Sequence, residues 1–266
     1  MREGHHSEAL AIYRKVIADT PDSYQAHSQA GIVLDLLGQY DDARTHFAKA
    51  IEIAPDGEAK SRAMRNMAMS YAFSGDCASA TKYEAPVFDQ NVAAGKMADA
   101  GGVANELARV CLESGNFDRA QEWYRKGYDV ALKEPTLSAA QKDLWAFRWE
   151  HAQARIAARR GQAADARTHM AAAKAILDKG TNPEQAPFFP YLAGYVAFYG
   201  GDYKTAVTEL ANANQDDPFI VTLLAQSHEK LGDTAKAMEF YKQALTSNAH
   251  NAPNAFARPL AKKKVG

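Results

Sequence analysis

The chain has 266 residues, of which 47% are apolar, and 31 basic against 32 acidic side chains leave a formal net charge of -1. That balance excludes a globally basic nucleic-acid binder, and no apolar run approaches the roughly 18 residues that cross a bilayer. Two cysteines, Cys77 and Cys111, are too few for a disulfide framework, and the first six residues lack the apolar core of a signal peptide.

A short pattern opens the chain as Gly4, Ala9, Tyr13 and Pro21 and returns as Gly38, Ala43, Phe47 and Pro55, every position displaced by 34 residues. It continues through Gly75/Ala80, Gly115/Ala120/Tyr124, Gly161/Ala166/Met170, Gly201/Ala206/Leu210 and Gly232/Ala237/Tyr241. Gly4 predicts a turn followed by a helix over about residues 7–18, which would show Leu10 or Val16 to solvent unless something covers them. Ala30, Gly31 and Leu34 then mark one helical face. Ala43, Phe47, Ala50 and Ile51, at i, i+4, i+7 and i+8, mark the next. Gly38 sits between them, where a chain reversal calls for positive φ. Asp41, Asp76, Asp118, Asp202 and Asp233 suit the start of the second helix of each pair, and Pro55 and Pro218 its end.

Two spacers are long. Pro86, Gly95, Gly101 and Gly102 predict a kinked or extended helix, or a loop, near residues 85–102. Near residues 130–146 the helix breaks at Pro135 and restarts after the capping residue Ser138. After Asn248, Pro253, Pro259 and Lys262, Lys263 and Lys264 read as a short cap over the last pair with a frayed basic end.

The signature resembles the tetratricopeptide repeat, W-x2-L-G-x2-Y, then A-x3-F, then P. The best copy runs from Tyr24 to Gly57 and departs from the pattern at His27, Ala30 and Leu34. The resemblance implies an all-α, right-handed α-solenoid of antiparallel helix pairs. A leading half-repeat would occupy residues 1–23, six helix pairs would extend the solenoid over residues 1–247, and residues 248–266 would form a C-terminal cap or tail.

No nucleotide-binding, zinc-protease or nucleophile-elbow motif is present, so the chain reads as non-catalytic and without cofactor. His5 and His6 point apart on one turn and read as exposed residues, not metal ligands. Cys111 occupies a packing position and reads as a buried inert thiol. A bond to Cys77 requires their Cα atoms to lie within about 7 Å.

The resemblance implies that the first helix of each pair lines a concave groove. Arg148, His151, Arg155 and Arg159 form a basic stripe there, next to an aromatic line of Tyr191, Tyr195 and Tyr199, with Phe188 and Phe198 alongside. Arg62, Arg65, Asn66, Asn105 and Arg109 join from earlier helices. Such a groove suits a protein or peptide that is acidic and has an apolar anchor, with Tyr195 receiving the anchor. The carboxylate clamp of the chaperone-binding branch is broken. Arg65 and Arg148 replace its lysines, but Met69, Glu106 and Ala152 stand where two asparagines and an arginine belong. The expected function is a protein-interaction scaffold that binds no nucleic acid and does not insert into a membrane. The alternatives are self-assembly through the open N-terminal half-repeat, or a docking module of a larger enzyme or receptor. The cytoplasm is the default compartment, with export if a signal segment precedes this chain.

Overall fold

The structure, a computed structural model, describes residues 2–266, with side chains from His5 onward. Gly38, Gly75, Gly115, Gly161, Gly201 and Gly232 all adopt φ between 69° and 88°. That left-handed geometry costs glycine nothing, so each ends one helix and releases the next within a residue or two. The first helices of the six pairs are α2 (Tyr24–Leu37), α4 (Gly57–Phe73), α6 (Met97–Glu113), α8 (Ala139–Arg159), α10 (Phe188–Tyr199) and α12 (Pro218–Lys230). Their partners are α3 (Tyr40–Glu52), α5 (Cys77–Ala93), α7 (Phe117–Ala131), α9 (Ala163–Leu177), α11 (Tyr203–Ala211) and α13 (Thr234–Ala244). Helix α1 (Arg2–Asp19) precedes them and α14 (Ala252–Val265) follows. Among the described residues there is no strand, and the fold is an all-α solenoid.

The helix starts are set by side chains. Asp76, Asp202 and Asp233 accept a backbone N–H of the first turn. Asp41 and Asp118 lie one step inside the helix, where they favour the positive end of its dipole. Pro218 opens α12 instead of closing α11, because a proline in the first turn forgoes a hydrogen bond that has no partner anyway.

Small residues let the pairs close. The Phe47 ring fills the space beside Gly31, where an added Cβ would meet it at 2.5 Å. Gly101 and Gly102 are not turn residues: both lie inside α6, and a Cβ on Gly101 would stand 2.7 Å from the Trp145 ring and 3.0 Å from the Gly127 carbonyl. The spacer near residues 85–102 is therefore the end of α5 and the start of α6, joined by a short turn at Gly95. Helix α5 carries Pro86 within its 17 residues, since packing on α4 and α6 outweighs one missing backbone hydrogen bond. Ser138 does restart the chain, in a capping box with Gln141.

Three expectations about the ends and the cysteines are corrected. Helix α1 runs through Gly4, which is no turn glycine. Leu10 is buried against α2 and α3, and Ile12 and Val16 are the large apolar residues of α1 left exposed among the described residues, at 63% and 40% exposure. Cys111 is not a free thiol. Helices α5 and α6 are antiparallel neighbours, so the start of one lies beside the end of the other. There Cys77 and Cys111 form a disulfide with Cα atoms 4.8 Å apart, inside the largest apolar cluster.

The C-terminal tail is an ordered helix, and it reaches well past the last pair. Helix α14 packs on α12 and α13 and also on α4 and α6. Arg258 donates from Nε to the Leu36 carbonyl at 2.6 Å, and Lys262 donates to the Leu37 carbonyl at 3.1 Å. These carbonyls end α2, where a helix leaves acceptors unpaired and favours positive charge. Ahead of α14, the His250 imidazole pairs with the buried Asp35 carboxylate at 2.8 Å, and Ser70 donates to the other Asp35 oxygen at 2.8 Å. Phe47 and Phe73 hold the same imidazole between their rings, each centroid 5.6 Å away. The two ends of the solenoid are thus joined across its concave side.

The disulfide spans 34 residues and restricts the unfolded chain. Its reduction is expected to cost about 2–4 kcal/mol. Urea unfolding with and without reductant measures this, because the midpoint should fall in wild type and be insensitive to reductant in Cys77→Ala/Cys111→Ala. A wild-type midpoint indifferent to reductant would contradict the assignment.

Candidate functional site

Five first helices, α4, α6, α8, α10 and α12, converge on a cavity of about 800 Å³. Tyr124 of α7, Gln185 and Pro187 ahead of α10, Asn214 ahead of α12 and the strap of residues 250–253 at the start of α14 complete its wall. Of the residues predicted from sequence, Arg65, Asn105, Arg109, Arg148, His151, Arg155 and Tyr191 line this cavity. Arg62 does not: it pairs with Glu58 at 2.8 Å on the outer part of α4. Asn66, Arg159, Tyr195 and Tyr199 do not line it either.

The basic stripe divides because helix α8 passes from the cavity into the interface with α6 and α10. Arg159, four residues beyond Arg155, forms an ion pair with Glu113 at 2.7 Å, and its guanidinium lies 4.8 Å from the Tyr199 ring. Tyr195 is completely buried and donates its hydroxyl to Glu113 at 3.1 Å. Burial and the adjacent Glu113 carboxylate push the Tyr195 phenol well above its ordinary range, so it stays a donor. Tyr195, expected to receive an apolar anchor in the groove, is therefore a core residue. Arg155 is also buried and donates to the Tyr124 hydroxyl at 2.8 Å.

Charge in the cavity is uneven. Glu106 is paired with Arg65, and Asp217 caps α12 by accepting from the Phe219 N–H at 2.8 Å. Arg109, Arg148 and Arg155 make no ion pair among the described residues. Burial, then Arg155 and Arg109, hold the His151 imidazole well below its ordinary pKa, so it is neutral at pH 7. Near the Arg65–Glu106 pair, the fully buried Glu84 has no hydrogen-bond partner, and burial raises its carboxyl well above the usual range.

Sequence reasoning missed Phe147, Asn214, Asp217, Ile220 and the strap, all of which line the cavity. The Asp-Pro pair at 217–218 signals a helix start, but nothing local places that start beside α6 and α8. Phe188, noted in sequence only as a neighbour of the tyrosines, is the exposed aromatic at the cavity mouth, at 48% exposure.

Tetratricopeptide-repeat models match residues 22–85, 102–126 and 220–251. No curated protein matches the chain. Among solved structures, a tetratricopeptide repeat protein from Parabacteroides merdae aligns over 99% of this chain and 92% of its own, with 12% identity and a TM-score of 0.58. BtubC from P. vanneervenii aligns over 91% of this chain and 87% of its own, with 13% identity and a TM-score of 0.48. At such identity the likeness to the Parabacteroides protein is one of fold.

Because Tyr195 is core, Tyr195→Ala is expected to cost about 3–5 kcal/mol. Tyr195→Phe keeps the ring and loses a hydrogen bond to a charged acceptor, at about 1.5–3 kcal/mol. Equilibrium denaturation of both variants checks this, and an unchanged midpoint for Tyr195→Ala would return the tyrosine to the surface.

Proposed function

This chain belongs to the tetratricopeptide-repeat family, whose fold is generally a non-catalytic protein-interaction scaffold, and on that premise we propose that it binds a protein partner over the mouth of the concave cavity. The observation that carries this reading is the composition of the mouth. Arg65 and Arg148 are exposed beside Phe188, a large apolar ring left open to solvent. An acidic segment with an apolar anchor complements such a rim, the anchor meeting Phe188 instead of the buried Tyr195.

A second reading, self-assembly, is favoured by one feature. Ile12 and Val16 lie one turn apart and leave an apolar strip exposed on α1. Sedimentation over a concentration series distinguishes the two, since only self-assembly makes the mass depend on concentration.

The compartment we propose is oxidising. A buried disulfide that uses the only two cysteines supports export over the cytoplasmic default.

A peptide-array screen followed by pull-down tests the scaffold. Phe188→Ala should weaken a captured partner by about 2 kcal/mol, and Arg148→Glu should slow its association and weaken it further. Arg119→Glu, exposed on α7 away from the cavity, should bind as wild type. Both rim residues are exposed, so helicity and melting temperature should hold. Partners that ignore the rim variants and respond to Arg119→Glu would place the interface elsewhere.

A further inference from the structure

Deeper in the cavity, the chain presents more hydrogen-bond donors than it uses. Nε and Nη2 of Arg109, Nε of Arg155 and the hydroxyl of Tyr191 all lack a partner. Arg155 and Tyr191 are only 6% and 5% exposed, so water compensates them poorly. The carboxylates within reach are already occupied. Arg65 takes Glu106, Arg159 takes Glu113, and Asp217 accepts from the Phe219 and Ile220 N–H groups at 2.8 and 3.4 Å. The two guanidiniums stay charged whatever the pH, because arginine does not lose its proton in proteins.

The surroundings add to the positive potential. The amino ends of two helices border the cavity: α12, through Asp217 and Ile220, and α14, through Asn251, Ala252 and Pro253. Each contributes partial positive charge at its first turn. Part of the wall is apolar, with Phe147 and Ile220 both buried and both lining the space.

We propose that the inner cavity is a binding site for a compact organic anion, with one carboxylate or phosphate group held by Arg109, Arg155 and Tyr191 and a short apolar body against Phe147 and Ile220. Charge-assisted donors favour such a group, and a cavity of about 800 Å³ is of small-ligand size. The site lies one helical turn beyond Glu106 on α6 and Ala152 on α8, so it uses none of the residues at the broken clamp positions. It goes beyond the scaffold reading, since an anion inside the cavity needs no protein at the rim. The anionic group can come from a free small molecule or from a side chain of a partner.

Titration calorimetry of the full chain separates these sources with three probes: phenylacetate, inorganic phosphate and a glutamate-containing hexapeptide. Saturable 1:1 binding of phenylacetate or phosphate assigns the free carboxylate or phosphate form. Binding of the hexapeptide alone assigns a carboxylate carried by a partner chain. For whichever probe binds, Arg109→Gln should weaken affinity about tenfold or more, as expected for a lost charge-assisted contact. Tyr191→Phe, which removes only an unpaired hydroxyl, should weaken it several-fold with the fold intact, and Arg119→Glu, exposed on α7 outside the cavity, should leave the small probes unaffected. Without anion, Arg109→Gln should melt at or above the wild-type temperature, because it removes an uncompensated charge. Absence of saturable binding for all three probes overturns the proposal, as does binding that survives Arg109→Gln and Tyr191→Phe alike. A protein that captures a partner through its rim yet binds no probe overturns this proposal alone and leaves the scaffold standing.

Discussion

The carboxyl end of α2 is where this chain closes on itself. Its last carbonyls have no N–H donors within the helix, and residues more than two hundred positions away supply them: Arg258 donates to Leu36 and Lys262 to Leu37, while Arg258 also donates to the carbonyls of Leu245 and Ser247. One guanidinium therefore ties the first full pair to the segment leaving the last. Asp35, the residue before Leu36 on α2, fixes His250 and so sets where the strap crosses the concave side. The strap in turn is the wall that converts an open groove into a cavity. A solenoid with only neighbour contacts would have no such wall.

That closure explains the division of the charged residues. Outside the cavity, basic side chains find acids on adjacent helices, as Arg159 finds Glu113 and Arg160 finds Asp118. Inside it, the acids serve structural ends, one capping α12 and one holding Arg65, while Arg109 and Arg155 are left to the cavity. Desolvated guanidiniums without anions do not improve stability.

The repeat itself is legible in the sequence because its causes are local. A glycine that reverses the chain, an alanine at a close helix crossing and an aromatic filling the gap recur at fixed spacing, and Gly38, Ala43 and Phe47 play those parts in the fold. The convergence of Arg109, Arg148, His151, Arg155 and Tyr191 follows from the same spacing. What escapes local reading depends on how pairs stack. Tyr195 lies one helical turn beyond Tyr191 on α10, yet outside the cavity, in the interface with Glu113. Gly101 has the composition of a loop and the position of a helix crossing. The Cys77–Cys111 bond and the reach of α14 need the three-dimensional arrangement of helices that the sequence orders but does not space.

Hydrogen exchange, compared between wild type and Arg258→Ala, tests closure most directly. Native-state exchange resolves local opening from global unfolding. If Arg258 is the tie, protection should fall together in the last turn of α2, in residues 250–253 and in α14, while α7 and α9 exchange as in wild type. Loss of protection confined to α14, with α2 and the strap unchanged, would show that the cavity wall stands without the clasp and would contradict the account.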